Sequence, residues 1–398
     1  MASKACKIRD GLSMKRASKL CLVLLLSVLS TTGCWNLREP NHLAFVLGSG
    51  LDLTEDGQIQ LSCQIAIPSG VGGGQDSGGG GTKKESFRVI SATGKNVYDA
   101  VTNLQSQLSR GLFIGQRKII LIGQRLAEHG ISELLDEFLR NPQSEMRARI
   151  YVVKDGQAKD IFMAEPIFDP FTTVELLQQQ ATLGLKHYYF RDFLSDAFSE
   201  ESQPLSPAVS LSSLKHPVYS GTAVFNKADH LKLEGFLNAE ESSYANWITD
   251  KQTVLNITSL IPQGKGNVTL KMQSLGQRIQ VKMVNERIKM DVHLTGKGTI
   301  VENNTNLDPT NKKDLHIIQD ELSQTTQKSI ERLIEKVKKQ YKIDIFGFGE
   351  SVHRQYPNQW RTLKRNWNDT FTELQITVKV QLQIEDSGQS KSSTIKMP

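Results

Sequence analysis

The segment Leu374-Gln-Ile-Thr-Val-Lys-Val-Gln-Leu-Gln-Ile384 alternates apolar and polar side chains along its whole length. A period of two places every apolar side chain on one face of an extended strand, and that face must be covered. Val254–Leu260, Val268–Leu275, Ile279–Val284 and Arg287–Val301 obey the same rule, so the second half of the chain is committed to sheet. Its cover is written between them. Leu315–Tyr341 carries Ile318, Leu322, Ser329, Leu333 and Val337 on one side, ringed by charge, which is the pattern of a long amphipathic helix. Tyr219–Phe225 and Leu231–Leu237 read as a hairpin across the polar turn Asn226–His230, followed by a short helix over Ala239–Trp247.

The first half has a different grammar. Leu43–Asp52 reads as a buried strand with a glycine-softened end, Ile59–Ile67 as a second strand, and Phe87–Ala92 as its continuation or partner. Thr93 or Ser91 is expected to cap a helix through Ser109, followed by a strand over Lys118–Gly123, a helix over Leu126–Leu139 and a strand over Arg147–Val153. Helical stretches near Thr172–Leu183 and Tyr188–Phe198 lead to Pro204-Leu-Ser-Pro207, which reads as an interdomain linker. The fold class is therefore α+β and multidomain, with mixed or antiparallel sheets each flanked by helices. The expected division is a leader over 1–33, an α/β region over 34–205 long enough for two domains, an α+β domain over 206–390 and a tail over 391–398.

The leader explains the charge. The 398 residues carry a net +6, but residues 1–33 hold six Lys and Arg against Asp10 alone, which leaves the remainder at about +1. A near-neutral chain lacks the basic footprint of a nucleic-acid binder. After Lys19 the apolar run Leu20–Leu29 is too short to span ~30 Å of hydrocarbon, and small residues lead from it to Gly33-Cys34. The order of basic, apolar and small residues is that of a secretory signal, and Met14 just before Lys15-Arg16 is an alternative start. A cysteine behind such a signal is the acceptor of lipid: Cys34 would take an S-diacylglyceryl group and, once freed, an N-acyl chain, since two or more chains anchor stably where one does not. Thr31 stands where such signals usually carry Leu. The alternative is ordinary secretion with Cys34 left free. Of the other cysteines, Cys6 and Cys21 leave with the signal, and Cys63 reads as a lone, structurally incidental thiol.

Catalytic signals are missing. The eight histidines show no spacing suited to metal, no Cys-x-x-Cys or Gly-x-Ser-x-Gly occurs, and no metal or cofactor is expected. Gly70–Gly81 lacks the terminal Gly-Lys-Ser/Thr of a phosphate loop and reads as a flexible connection. Gly347-Phe-Gly349-Glu350 resembles half a dinucleotide fingerprint, but Val352 occupies the third glycine position. Glu240-Glu241 suits the start of a helix, and His353 near Glu350 a satisfied surface histidine.

Three stretches resemble the GerC lipoprotein family, the C subunit of nutrient germinant receptors of endospore-forming bacteria. They are Gly33-Cys34-Trp35-Asn36-Leu37-Arg38-Glu39, with Asn36 where the family has Asp; Gly94–Ala100 with Leu108–Gly115 and Lys118–Gly123; and Tyr341-Lys-Ile-Asp-Ile-Phe-Gly-Phe-Gly-Glu350, continuing through His353–Pro357, Trp360 and Asn366-Trp367. Gly221–Phe225, Gly235–Asn238 and Glu240–Ser242 fit in the same order.

The resemblance implies a non-enzymatic protein of about three mixed domains, lipidated at Cys34. It would be held at the outer face of the spore inner membrane and act with two integral membrane subunits, of the A and B types. No residue assigns nutrient binding to this chain. The aromatics of the third stretch have two readings, a structural core or a docking surface for the partners; Phe346, Phe348 and Trp360 are the candidate interface residues. The competing function is a lipid-anchored solute-binding protein of a transporter, which calls for two lobes and a polar cleft between them.

Overall fold

The computed structural model describes residues 39–67, 85–284 and 287–386, with Lys19 apart. The chain divides at Leu43: Met1–Leu43 includes the 3-10 turn Pro40–His42, and Ala44–Pro398 forms the other unit.

Strands β1 (Leu43–Leu53), β2 (Ile59–Ala66) and β3 (Phe87–Gly94) pair antiparallel in that order. The glycine-rich run at 70–81, which joins β2 to β3, lies outside the described residues, as does Cys34. Helix α1 (Val97–Gln105) begins at Asn96, whose side-chain oxygen accepts the Asp99 amide at 2.9 Å. Ser91 and Thr93, expected as caps, instead pair with Ser62 and Gln60 within the sheet.

Then come β4 (Gly111–Phe113), β5 (Ile119–Gly123), α2 (Gln124–His129), α3 (Leu134–Arg140) and β6 (Arg149–Val153). The single helix expected over Leu126–Leu139 is two. Gly130 turns to φ +111, a conformation that the helix cannot carry through. Helices α4 (Ala158–Met163), α5 (Thr172–Thr182) and α6 (Phe190–Phe198) follow, then β7 (Leu205–Leu211), β8 (Pro217–Asn226) and β9 (Lys232–Leu237).

These strands make one sheet in the order β3-β2-β1-β5-β6-β7-β8-β9, with β4 on β1. The four central strands run parallel and are covered on both faces, which is why β5 is an unbroken apolar run. Ile120 and Ile122 face a core with α1, α2, α3 and α6, while Ile119 and Leu121 face α4 and α5. Gly48 and Gly50 do not soften the end of β1; they lie where α4 rests on the strand, and a Cβ on either would fall 2.6–2.7 Å from Phe162 or Ala158. Pro204–Pro207 is not a linker in this structure: Leu205 opens β7, which pairs with both β6 and β8. The two prolines disguised it. Pro207 is tolerated because the ladder to β6 begins one residue later, beside a bulge at Ala208/Val209.

Helix α7 (Ala239–Ile248) leads to a second sheet, β10 (Leu255–Ile261), β11 (Gly266–Val284), β12 (Arg287–Asn303) and β13 (Gln375–Asp386), in that order. The runs 268–275 and 279–284, expected as separate strands, are one. Gly276 stays in the ladder opposite Thr295, and its carbonyl accepts the Trp247 indole N–H at 3.1 Å. Between β12 and β13 lie α8 (Lys312–Lys336), α9 (Phe348–Gln355), α10 (Pro357–Leu363) and α11 (Trp367–Glu373). Helix α8 covers the sheet and also blunts its edge: Gln319 and Ser323 accept the amides of Ile384 and Leu382 at 3.0 and 3.1 Å. Leu205, Val224 and Leu237 of the first sheet join Trp247 of α7 in the core of the second sheet, so the two halves share buried surface.

Candidate functional site

The stretch after α8 is where the sequence concentrates its aromatics, and its local order starts from one carboxylate. Helix α8 runs on through a π-turn, Val337–Tyr341, and stops at Lys342 in the left-handed region. Asp344 then turns inward and is 1% exposed. Its Oδ1 accepts the Phe346 amide at 3.0 Å; its Oδ2 accepts the Gly349 amide at 2.7 Å and the Trp367 indole N–H at 3.1 Å. Burial pushes the Asp344 pKa up, and the N–H donors pull it part of the way back. Every partner of this carboxylate belongs to the chain's own framework. It folds the backbone of 344–349 and pins α11 to it.

Glycine is required at two points of this turn. Gly347 has φ +73, and a Cβ on Gly349 would lie 2.9 Å from Trp367 Nε1 and 3.0 Å from the Trp360 ring. Phe346 and Phe348 meet at a tilt, 5.4 Å between centroids, Phe348 meets Phe371 at 6.3 Å, and Trp360 meets Trp367 edge-on at 5.2 Å. Phe346, Phe348 and Trp360, the candidate docking residues, are 1%, 0% and 1% exposed. Of the two readings, the structure places all three in the core; they present no surface of their own to a partner.

The outer face of this cluster holds the two halves together. Tyr341 Oη donates to the Phe236 carbonyl of β9 at 3.1 Å, and Lys336 bonds Glu241 of α7 at 2.8 Å. His353 stacks on Trp360 and its Nδ1 lies 2.7 Å from Glu201, while Lys364 reaches Glu200 at 2.8 Å. Gln355 accepts the Val281 amide and donates to the Ile279 carbonyl of β11. The third stretch is thus a joint, assembled from local turns and tied to both sheets. Individually the exposed ion pairs are worth little; the buried aromatics hold the stretch itself, and Leu205, Val224 and Leu237 of the first sheet join them in one core.

A second buried carboxylate escaped the sequence reading. Asp52, at the end of β1, accepts the Ala158 and Lys159 amides at 2.8 and 3.3 Å and so caps α4 from a different element. Gln157, the residue before that helix, offers no side-chain cap of its own. Burial raises the Asp52 pKa to about 6 against the pull of the two amides. Cys63 is a buried free thiol, 3.9 Å from Ser49 Oγ, and burial pushes its pKa up to about 11, so it is held as the neutral thiol.

Among the described residues no group of His, Cys, Asp and Glu is placed to hold a metal, and no helix is long and apolar enough to cross a membrane. The open groove between α1 and α3, about 840 Å³, is lined by Val97, Val101, Leu112 and Leu126 with His129 and Asp136 among its polar residues. It shares no residue with the joint.

The two-sheet α+β architecture is that of the crystal structure of the GerBC protein. That structure matches 88% of this chain and 100% of its own, with a TM-score of 0.58 at 18% identity. Residues 36–211 match the family described as spore germination protein N-terminal domain, and residues 220–388 that described as spore germination B3/GerAC like, C-terminal. The chain belongs to this GerC family of spore germination proteins. Its relatives include spore germination protein KC of Bacillus subtilis (strain 168), 28% identical over 94% of this chain and 97% of the relative. Spore germination protein B3 of the same organism is 23% identical over 94% and 99%.

Proposed function

We propose that this chain is the lipid-anchored, non-enzymatic C subunit of a nutrient germinant receptor, needed for nutrient-triggered germination of the spore. One observation carries the reading: two germination-family domains follow one another across the chain in family order, with relatives aligned over nearly their full length. Cys34, processed from the 1–33 signal, bears the S-diacylglyceryl and N-acyl groups that hold the folded part at the outer face of the spore inner membrane. There it meets two integral membrane subunits, of the A and B types. The buried joint serves that assembly by fixing one relation between the two halves, so that partners meet a rigid surface.

The solute-binding alternative calls for a cleft between lobes. The gap where the first half meets α7, lined by Lys186, Tyr188, Ser206 and Tyr219 among others, holds about 30 Å³, and a polar hollow of about 560 Å³ lies where Asn226 of β8 meets Lys338, Tyr341 and Asp369. Deleting the gene is expected to slow germination on particular nutrients while growth and sporulation continue, and Cys34→Ala is expected to abolish labelling by fatty acid. Normal germination of the deletion strain on every nutrient, with no paralogous receptor present, refutes the receptor role; fatty acid entering the Cys34→Ala protein refutes the anchor.

A further inference from the structure

Exposed apolar side chains gather on two adjoining loops that share no residue with the joint. The loop between α4 and α5 carries Ile167 and Phe168, with Met163 at its entrance; Phe168 is 93% exposed. Leu211 and Leu214 lie exposed at the β7–β8 hairpin, whose His216 Nδ1 lies 3.2 Å from the Glu165 carbonyl of the first loop. A single exposed aliphatic residue needs no explanation, but a cluster with a bare aromatic at its tip contributes nothing to the fold. Pro166 and Pro170 flank that tip and limit its backbone freedom.

The loop is pinned at the sheet end where β1 enters. Ser86 Oγ donates to the Pro170 carbonyl at 2.5 Å, and the Phe87 and Phe171 rings lie 6.4 Å apart. Arg88 pairs with Ile65 and Ile65 with Val46, so this point stands two strand spacings, ~10 Å, from the first residues of β1. Cys34 precedes Ala44 by ten residues, and a chain of that length spans at most ~35 Å when extended. A lipid on Cys34 thus lies no more than ~35 Å of chain from the start of the strand whose sheet carries this loop.

We propose that the Ile167-Phe168 tip enters the lipid bilayer at the headgroup level and gives the anchored protein a second point of membrane contact. Lipid on Cys34 is a tether, which holds the chain without orienting it; a second contact fixes which face the domains turn to their surroundings. The proposal rests on the reading of Cys34 as lipidated.

The test uses the full-length lipidated protein in liposomes, with Ile167→Cys carrying an environment-sensitive fluorophore. Lipid occupies Cys34 and Cys63 is buried, so the introduced thiol takes the label. Leu260→Cys on β10, exposed to a similar degree, is the control site. Nitroxide-bearing lipids are expected to quench the label at 167 several-fold more than at 260, and adding Phe168→Asp is expected to remove most of that difference. Equal quenching at the two sites overturns the proposal, as does shielding at 167 that appears only when the membrane subunits or a second copy are added. Mass analysis of the Cys34 peptide separates the failures: a chain without lipid overturns the anchor and the proposal together, whereas a lipidated chain with its tip in water overturns the proposal alone.

Discussion

Replacing Asp52 by Asn should make this protein more stable at neutral pH and change how its stability depends on pH. Asp52 is 3% exposed and caps α4 across the chain through the Ala158 and Lys159 amides. Asn keeps one acceptor oxygen for the Ala158 amide and gives up the longer bond from Lys159, so the main part of the cap survives the change. The charge does not. The folded-state pKa lies at about 6 against 3.8 for a free side chain, because burial penalises the carboxylate more than the two amides reward it.

A raised pKa in an acid means that the folded state holds its proton more tightly than the unfolded one. The contribution of Asp52 is therefore fully present below pH ~3.8 and is lost as pH rises through ~6. The loss is worth about 3 kcal/mol at 1.36 kcal/mol per pH unit of pKa change. A neutral amide at this position has no such loss. The Asp52→Asn variant should match or slightly trail the parent near pH 4 and exceed it by about 2–3 kcal/mol at pH 7.5. Urea unfolding of both proteins from pH 4 to 8, compared through midpoints at unchanged slope, measures that difference and cancels every other titrating group. A constant difference across this range, or one that shrinks toward neutral pH, would falsify the account of Asp52 as a charge buried against its solvation.

The joint yields a comparison between two tryptophans. Trp367 gives its indole N–H to Asp344, whereas the Trp360 N–H is buried without an acceptor; thermal unfolding should show Trp367→Phe costing about 1.5–3 kcal/mol more than Trp360→Phe, and equal costs would refute the role of the bond. Phe348→Ala, at a site with no exposed surface, should cost about 3–5 kcal/mol and reduce folded protein. A variant that keeps its melting temperature but loses its partners in co-purification would return Phe348 to the docking reading. Removing the acceptors on α8 with Gln319→Ala and Ser323→Ala leaves two edge amides of β13 unpaired. A cost of about 1–3 kcal/mol per amide and faster aggregation on warming are expected, and unchanged light scattering would count against edge protection.

The elements with one strong period were legible from residues alone. The alternation of Leu374–Ile384 yields β13, the stripe through Ile318, Leu322 and Leu333 yields α8, and the all-apolar run at Lys118–Gly123 yields β5, because each pattern reports a face that must be buried. The α+β class followed from those faces, and the family from the order of its motifs. What escaped depended on partners distant in sequence. Gly276 looked like a break and Pro204–Pro207 like a linker, yet strand pairing carries β11 and β7 through both, since a ladder is fixed by its neighbours and not by its own residues. The helix over Leu126–Leu139 stopped at Gly130 for a backbone reason that its apolar spacing conceals. Composition could not say whether Phe346, Phe348 and Trp360 face in or out, because an aromatic suits a core and an interface equally; the turn closed by Asp344 decided it. Asp52 is the plainest case. Its partners lie more than a hundred residues away, and no local pattern announces a carboxylate that caps a helix from another strand.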